Sequence, residues 1–91
     1  MEFEWNAVKA ALNLRKHGVS FKEAATVFGD PLAITFPDPD HSSEENRLIT
    51  IGLSEREKLL IVAHAERGET IRIISARATT RGERKLYEEE S

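Results

Sequence analysis

Hydrophobic residues shift from helical to strand spacing near residue 32. Before that point they recur at helical spacing. Between Ala7 and His17, Val8, Ala11, Leu12 and Arg15 fall on one face, while Lys9, Asn13 and Lys16 fall on the other. Ala10, Ala11, Leu12 and Leu14 are good helix formers, and Asn6 can cap the first turn. Gly18 stands where a left-handed terminating residue is wanted. Ser20 and Glu23 have the spacing of a capping box, so a second helix is expected over Ser20–Phe28. Ala24, Val27 and Phe28, helped by Phe21, form its apolar face, and Gly29-Asp30-Pro31 stops it. The pair reads as a helical hairpin.

From Leu32 the pattern shortens to that of strands. Leu32–Phe36 is a short one, closed by Pro37-Asp38-Pro39. Arg47–Leu53, Leu59–Ala65 and Thr70–Ala76 follow, joined by Ser54–Lys58 and by a tight turn at Arg67-Gly68. Connections this short make the three neighbours antiparallel. Phe3-Glu4-Trp5 alternates briefly, as an N-terminal edge strand would. Thr80 and Glu83 make another capping box, opening a last helix that reaches Tyr87. The pattern therefore predicts a single α+β domain over residues 1–91. It has an antiparallel four-stranded sheet with a short N-terminal edge strand, two N-terminal helices and one C-terminal helix, all packed on one face.

Composition narrows the class. With 40% hydrophobic and 32% charged residues, the chain is of soluble globular type. No apolar run reaches the ~18 residues of a membrane span, and no signal peptide opens the chain, so a cytoplasmic location is expected. Cysteine is absent and no His or carboxylate cluster has metal-ligand spacing, so neither cofactor nor metal is implied. Net charge is −3 but unevenly spread. A loop at residues 38–46 carries Asp38, Asp40, Glu44 and Glu45 with no Lys or Arg, and the tail at 88–91 adds three glutamates. Between them, residues 47–85 hold nine bases and five acids, the kind of body that meets phosphates. Loop 38–46 is expected to be mobile.

The richest chemistry lies in Thr70–Tyr87, where a β-branched strand runs into a helix start crowded by Arg77, Arg81, Arg84 and Lys85. Such a cluster can hold a phosphodiester, although arginines at strand ends are as often merely solvated. With Glu66 paired to Glu69, Leu60, Val62 and His64 share a face with Ile71, Ile73, Ser75 and Arg77. That face is assigned to substrate, and the opposite one to the helices. His64 and Arg77 then lie about 20 Å apart along the strand, too far to touch one phosphate.

Taken together, Phe3-Glu4-Trp5-Asn6, Lys16-His17-Gly18-Val19-Ser20-Phe21, Glu66-Arg67-Gly68 and Arg72-Ile73-Ile74-Ser75-Ala76-Arg77 resemble the BrnT family of toxins. The likeness runs from Phe3 to Glu88. One departure is Asn6, where the family usually has Asp, and either residue caps a helix. The resemblance implies a RelE-like ribonuclease fold and a toxin of a type II toxin–antitoxin module that cleaves RNA without a metal and slows translation. It also implies a BrnA-like antitoxin partner, through which alone the toxin would meet DNA.

Metal-free cleavage uses the ribose 2′-hydroxyl as nucleophile on the adjacent phosphate. It needs a base, an acid for the leaving 5′-oxygen and cations for the phosphorane charge. The catalytic candidates are Arg77 first, then Arg67 and His64, then Glu83 and Tyr87, with Arg81, Arg84 and Lys85 binding RNA. Each also has an ordinary role: His64 as a hydrogen-bonded strand histidine, Glu83 as a cap, Tyr87 as core, Arg67 as a turn flank. A non-catalytic module that only binds the antitoxin is the competing reading. An open positive groove lined by Arg77 favours the enzyme, and a face filled with apolar side chains favours the module.

Overall fold

The computed structural model describes residues 1–41 and 46–90. β3 (Arg47–Leu53), β4 (Leu59–Arg67) and β5 (Thr70–Ala78) form the middle of one five-stranded sheet. β2 (Ile34–Pro37) flanks β3 antiparallel, and β1 (Glu2–Glu4) runs parallel to β5 at the other edge, giving the order β1-β5-β4-β3-β2. The sheet is thus five-stranded and mixed, not four-stranded and antiparallel. β1 is joined to its sheet partner through the whole chain, so no hairpin turn dictates its direction.

The β4–β5 hairpin corrects the expected register. Arg67 pairs with Thr70, which places the turn at Gly68 and Glu69, with Gly68 at φ +65°. Pairing holds to His64–Ile73 and then slips: Ala63 faces Ser75, leaving Ile74 as an extra residue in a β-bulge. Because side chains alternate, one extra residue exchanges the faces of everything beyond it. Ser75 and Arg77 therefore share a face with Ile61 and Ala63, not with Val62 and His64.

The core forms on the face holding Leu60, Val62, Ile73 and Ala76, packed against Val19, Phe21, Ala24 and Val27. The elements covering it are α1 (Ala7–His17), α2 (Phe21–Ala25) and a 3₁₀ turn over Thr26–Gly29. The expected helix Ser20–Phe28 is consequently broken. The Thr26 hydroxyl donates to the Glu23 carbonyl at 2.6 Å, and tighter turns follow. Gly52 lets the 3₁₀ turn approach β3: an added Cβ would sit 2.9 Å from Ala33 Cβ and 3.1 Å from the Val27 carbonyl oxygen.

α1 is rotated relative to its apolar pattern. Asn13 is buried, while Val8 and Leu12 are 68% and 57% exposed. Asn13 Nδ2 donates to the carbonyls of Ala76 (2.8 Å) and Val19 (2.9 Å), and Oδ1 accepts from the Ala76 amide (3.1 Å). β1 pairs with β5 only at Thr70–Arg72, and beyond it the Asn13 amide bonds the β5 backbone as a neighbouring strand would.

α3 (Arg81–Glu90) lies on the other face, so the helices are not all on one side. Its Glu83 grips Arg77, Leu86 sits by Ile34 and Phe36, and the Tyr87 hydroxyl donates to Asp30 Oδ2 at 2.7 Å. Residues 88–90 of the acidic tail form its last turn. The start of the acidic loop is also ordered. Buried Asp38 accepts from the Asp40 amide (3.0 Å), meets His41 Nδ1 (3.1 Å) and pairs with Arg47. The rest of the expected mobile loop, residues 42–45, lies outside the described residues. Among the described residues no helix is long and apolar enough to cross a membrane.

Candidate active site

The bulge at Ile74 turns Ser75 and Arg77 out of the core and onto the sheet's second face, where α3 leaves part of the surface open. A pocket of about 320 Å³ forms there. Ile49, Ile61 and Ala63 make an aliphatic floor, and Ser75 and Arg77 stand on the β5 side. Ala76, with Lys16 and His17, the last two residues of α1, completes the lining. Gly18 ends α1 at φ +70°, a left-handed conformation that a residue without Cβ adopts freely, and its amide donates to Leu14 at 2.9 Å. Asn13, one turn earlier, is bonded to Ala76, which lies between Ser75 and Arg77. The two walls of the pocket are therefore fastened to each other through the core.

Arg77 is held in a forked pair with Glu83: Nη1 to Oε1 at 2.8 Å and Nη2 to Oε2 at 2.9 Å, with Nη1 also 3.2 Å from the Ala78 carbonyl. Glu83 keeps its expected capping role, since Oε1 accepts from the Thr80 amide at 2.9 Å and Thr80 Oγ1 accepts from the Glu83 amide at 3.3 Å. The Arg77 hydrogen bonds hold the Glu83 carboxyl below the usual carboxylate range, and the same bonds raise Arg77 above an ordinary guanidinium. Both groups stay ionised at neutral pH.

The other catalytic candidates stand elsewhere. His64 is 1% exposed and lies on the helix-covered face, because the bulge separates it from Arg77. Its Nε2 is 2.8 Å from Thr50 Oγ1, which is 2.7 Å from Thr35 Oγ1, and its ring meets the Phe28 ring edge-on at 4.9 Å. Burial pushes its pKa down to about 4, so it is neutral at physiological pH. Arg67 ends β4, and its side chain, 62% exposed, reaches Glu4 at 3.2 Å. The same carboxylate takes Arg72 at 2.7 Å. Arg67 lies six residues from Ile61, the strand partner of Arg77, or roughly 20 Å along β4. Tyr87 ties α3 to Asp30, whose carboxylate pushes the phenol up to about 12. Arg81, Arg84 and Lys85 are exposed on α3 outside the pocket lining.

Of the candidates, then, the fold unites Arg77 and Glu83 and leaves His64, Arg67 and Tyr87 apart. It adds Lys16 and His17, and it keeps Ser75, which the pattern sets on the substrate face, beside Arg77. The pattern leaves Lys16 on a solvated helix face or in contact with the antitoxin, yet a Lys-His pair directly before a helix-ending glycine is a signal for this end of α1. Among the described residues no group of three or more His, Cys, Asp or Glu is arranged to hold a metal ion.

A family model described as the ribonuclease toxin BrnT of type II toxin–antitoxin systems matches residues 5–83, a span that includes every residue of this pocket. No curated protein matches the sequence. The fold is similar to the crystal structure of the Brucella abortus ribonuclease toxin BrnT, with a TM-score of 0.70 and 25% sequence identity. That likeness covers 89% of this chain and 99% of the Brucella chain. With nearly its whole length matched in sequence and in fold, the chain belongs to the BrnT family of ribonuclease toxins of type II toxin–antitoxin systems.

Proposed function

We propose that this chain cleaves RNA in the pocket between the end of α1 and β5, without a metal, and so inhibits translation. The observation that carries the reading is the pocket's make-up: Lys16, His17 and Arg77 line one cavity together with aliphatic Ile49, Ile61 and Ala63. The Lys16 and Arg77 cations suit a phosphodiester. The floor of Ile49, Ile61 and Ala63 offers an apolar surface to a base or ribose. Attack of the 2′-hydroxyl on the adjacent phosphate builds negative charge on the phosphorane. A guanidinium grips two phosphate oxygens at once and keeps its charge throughout. Arg77 supplies that clamp, with Glu83 orienting its fork until phosphate oxygens take over some of the same N–H groups. Lys16 adds a point charge from the opposite side. Arg81, Arg84 and Lys85, exposed beyond Arg77, follow the RNA backbone. His64, Arg67 and Tyr87 have structural roles in this reading.

A type II toxin implies an antitoxin. In this reading the partner is BrnA-like, the complex meets DNA only through that partner, and toxin and RNA meet in the cytoplasm. A RelE-like relationship of the fold belongs to the same proposal. The open cationic pocket favours the enzyme over the non-catalytic antitoxin-binding module. The test is incubation of the purified chain with RNA, with and without EDTA, followed by analysis of product ends. Cleavage that survives EDTA and leaves 2′,3′-cyclic phosphate supports the proposal. No cleavage and no growth defect on expression would overturn it.

A further inference from the structure

We infer that His17 is the proton donor of this pocket, delivering a proton to the 5′-oxygen that leaves when the RNA chain is cut. The inference rests on the cleavage reading above and goes beyond it by assigning one residue to one proton transfer.

The case begins with what the pocket holds. Cleavage by the 2′-hydroxyl forms an O2′–P bond and breaks the P–O5′ bond. The 2′-oxygen loses a proton and the 5′-oxygen gains one. An alkoxide without a proton is a poor leaving group, so the site needs a donor within reach. Arg77 is unsuited, because Glu83 accepts from both of its terminal nitrogens and holds its protons more firmly than usual. Glu83 is ionised, with both oxygens already accepting hydrogen bonds, and has no proton to give. Ser75 offers an alcohol, as weak an acid as the group that must be protonated. Lys16 serves as a point charge for the phosphate. Of the side-chain types left in the lining, imidazole is the one most often used as a general acid.

Its placement agrees. His17 is the last residue of α1, exposed, and lines the pocket with Ser75 and Arg77. Gly18 fixes the chain just after it, and Asn13 fastens the same helix to Ala76. The ring is therefore carried by backbone that cannot drift from β5. His64 cannot replace it, being enclosed on the opposite face. In the step, the imidazolium gives its proton to O5′ while the 2′ proton passes to solvent water, and the imidazole is then reprotonated from water. The products are a 2′,3′-cyclic phosphate and a 5′-hydroxyl, with no net proton consumed.

The experiment uses the full chain and an RNA oligonucleotide carrying the cleavage site mapped with the wild type. The oligonucleotide is made with the natural 5′-oxygen or with sulfur in its place. A thiolate leaves without protonation, so the sulfur substrate does not need an acid. His17→Asn should lower cleavage of the oxygen substrate by about 10²–10⁴-fold, and on the sulfur substrate should come within about tenfold of wild type. Arg77→Ala should be impaired on both, since it acts on phosphate charge. Thermal melting of His17→Asn should match wild type, the side chain being exposed. A His17→Asn chain that cleaves the oxygen substrate normally, or is equally impaired on both, overturns the assignment while wild-type activity leaves the cleavage reading standing. A wild type that cuts neither substrate overturns both.

Discussion

Replacing Asn13 by alanine tests the packing on which the pocket depends. The amide makes three hydrogen bonds of 2.8–3.1 Å, two to Ala76 and one to Val19, in a side chain only 7% exposed. Alanine leaves the Ala76 amide, the Ala76 carbonyl and the Val19 carbonyl without those partners. A buried polar group stranded in this way costs about 1–3 kcal/mol, carbonyls toward the lower end. The sum is about 3–5 kcal/mol, against a total stability on the order of 5–14 kcal/mol for a chain this long. The melting temperature should fall by roughly 15–30 °C. Asn13→Asp should be at least as damaging, because it turns both donors into acceptors opposite two carbonyls. The control is Leu12→Ala, which the apolar pattern of α1 would rank as the severe change. With Leu12 57% exposed, it should cost less than about 1 kcal/mol. Urea unfolding followed by circular dichroism measures all three. If Leu12→Ala costs more than Asn13→Ala, α1 is turned the other way and the account of how the pocket walls are joined fails.

Arg77→Ala should lower RNA cleavage by roughly 10²–10³-fold, and Arg77→Lys should recover only part because it lacks the fork. Its pair with Glu83 is partly exposed, so loss of stability should stay near 1 kcal/mol or below, and an active Arg77→Ala chain would remove Arg77 from the site. Gly52→Ala should destabilise by about 1–3 kcal/mol, since the new methyl meets Ala33 Cβ and the Val27 carbonyl, and an unchanged melt would show that the 3₁₀ turn can step aside. His64 gives a pH signature. Its pKa is about 4 folded against 6.5 unfolded, so the unfolded chain binds more protons between those values. Stability is complete above pH 6.5 and should fall by about 3 kcal/mol as pH drops to 4, while His64→Leu should flatten the slope between pH 6.5 and 5. A slope that survives the substitution would point to another group.

Local signals placed much of the secondary structure. Asn6, Ser20 and the Thr80/Glu83 box cap their helices through the expected side-chain bonds, and Gly18 ends α1 in the left-handed conformation. Those features depend on residues within one turn of each other, so sequence alone suffices for them. The β3, β4 and β5 runs were equally legible from their β-branched residues, as were the α+β class and the resemblance to BrnT. What the sequence by itself did not determine was which way each element faces. Nothing near Ile74 marks a bulge, yet that one extra residue puts Arg77 and His64 on opposite faces. Likewise Asn13 reads as polar surface until the unpaired edge of β5 gives its amide a partner sixty-three residues away. A polar side chain is buried when distant backbone satisfies it, and an aliphatic one such as Leu12 is then left outside. The pocket itself is of this kind. Lys16 and His17 lie about sixty residues before Arg77 in sequence, and only the packing of α1 against the end of β5 brings them together.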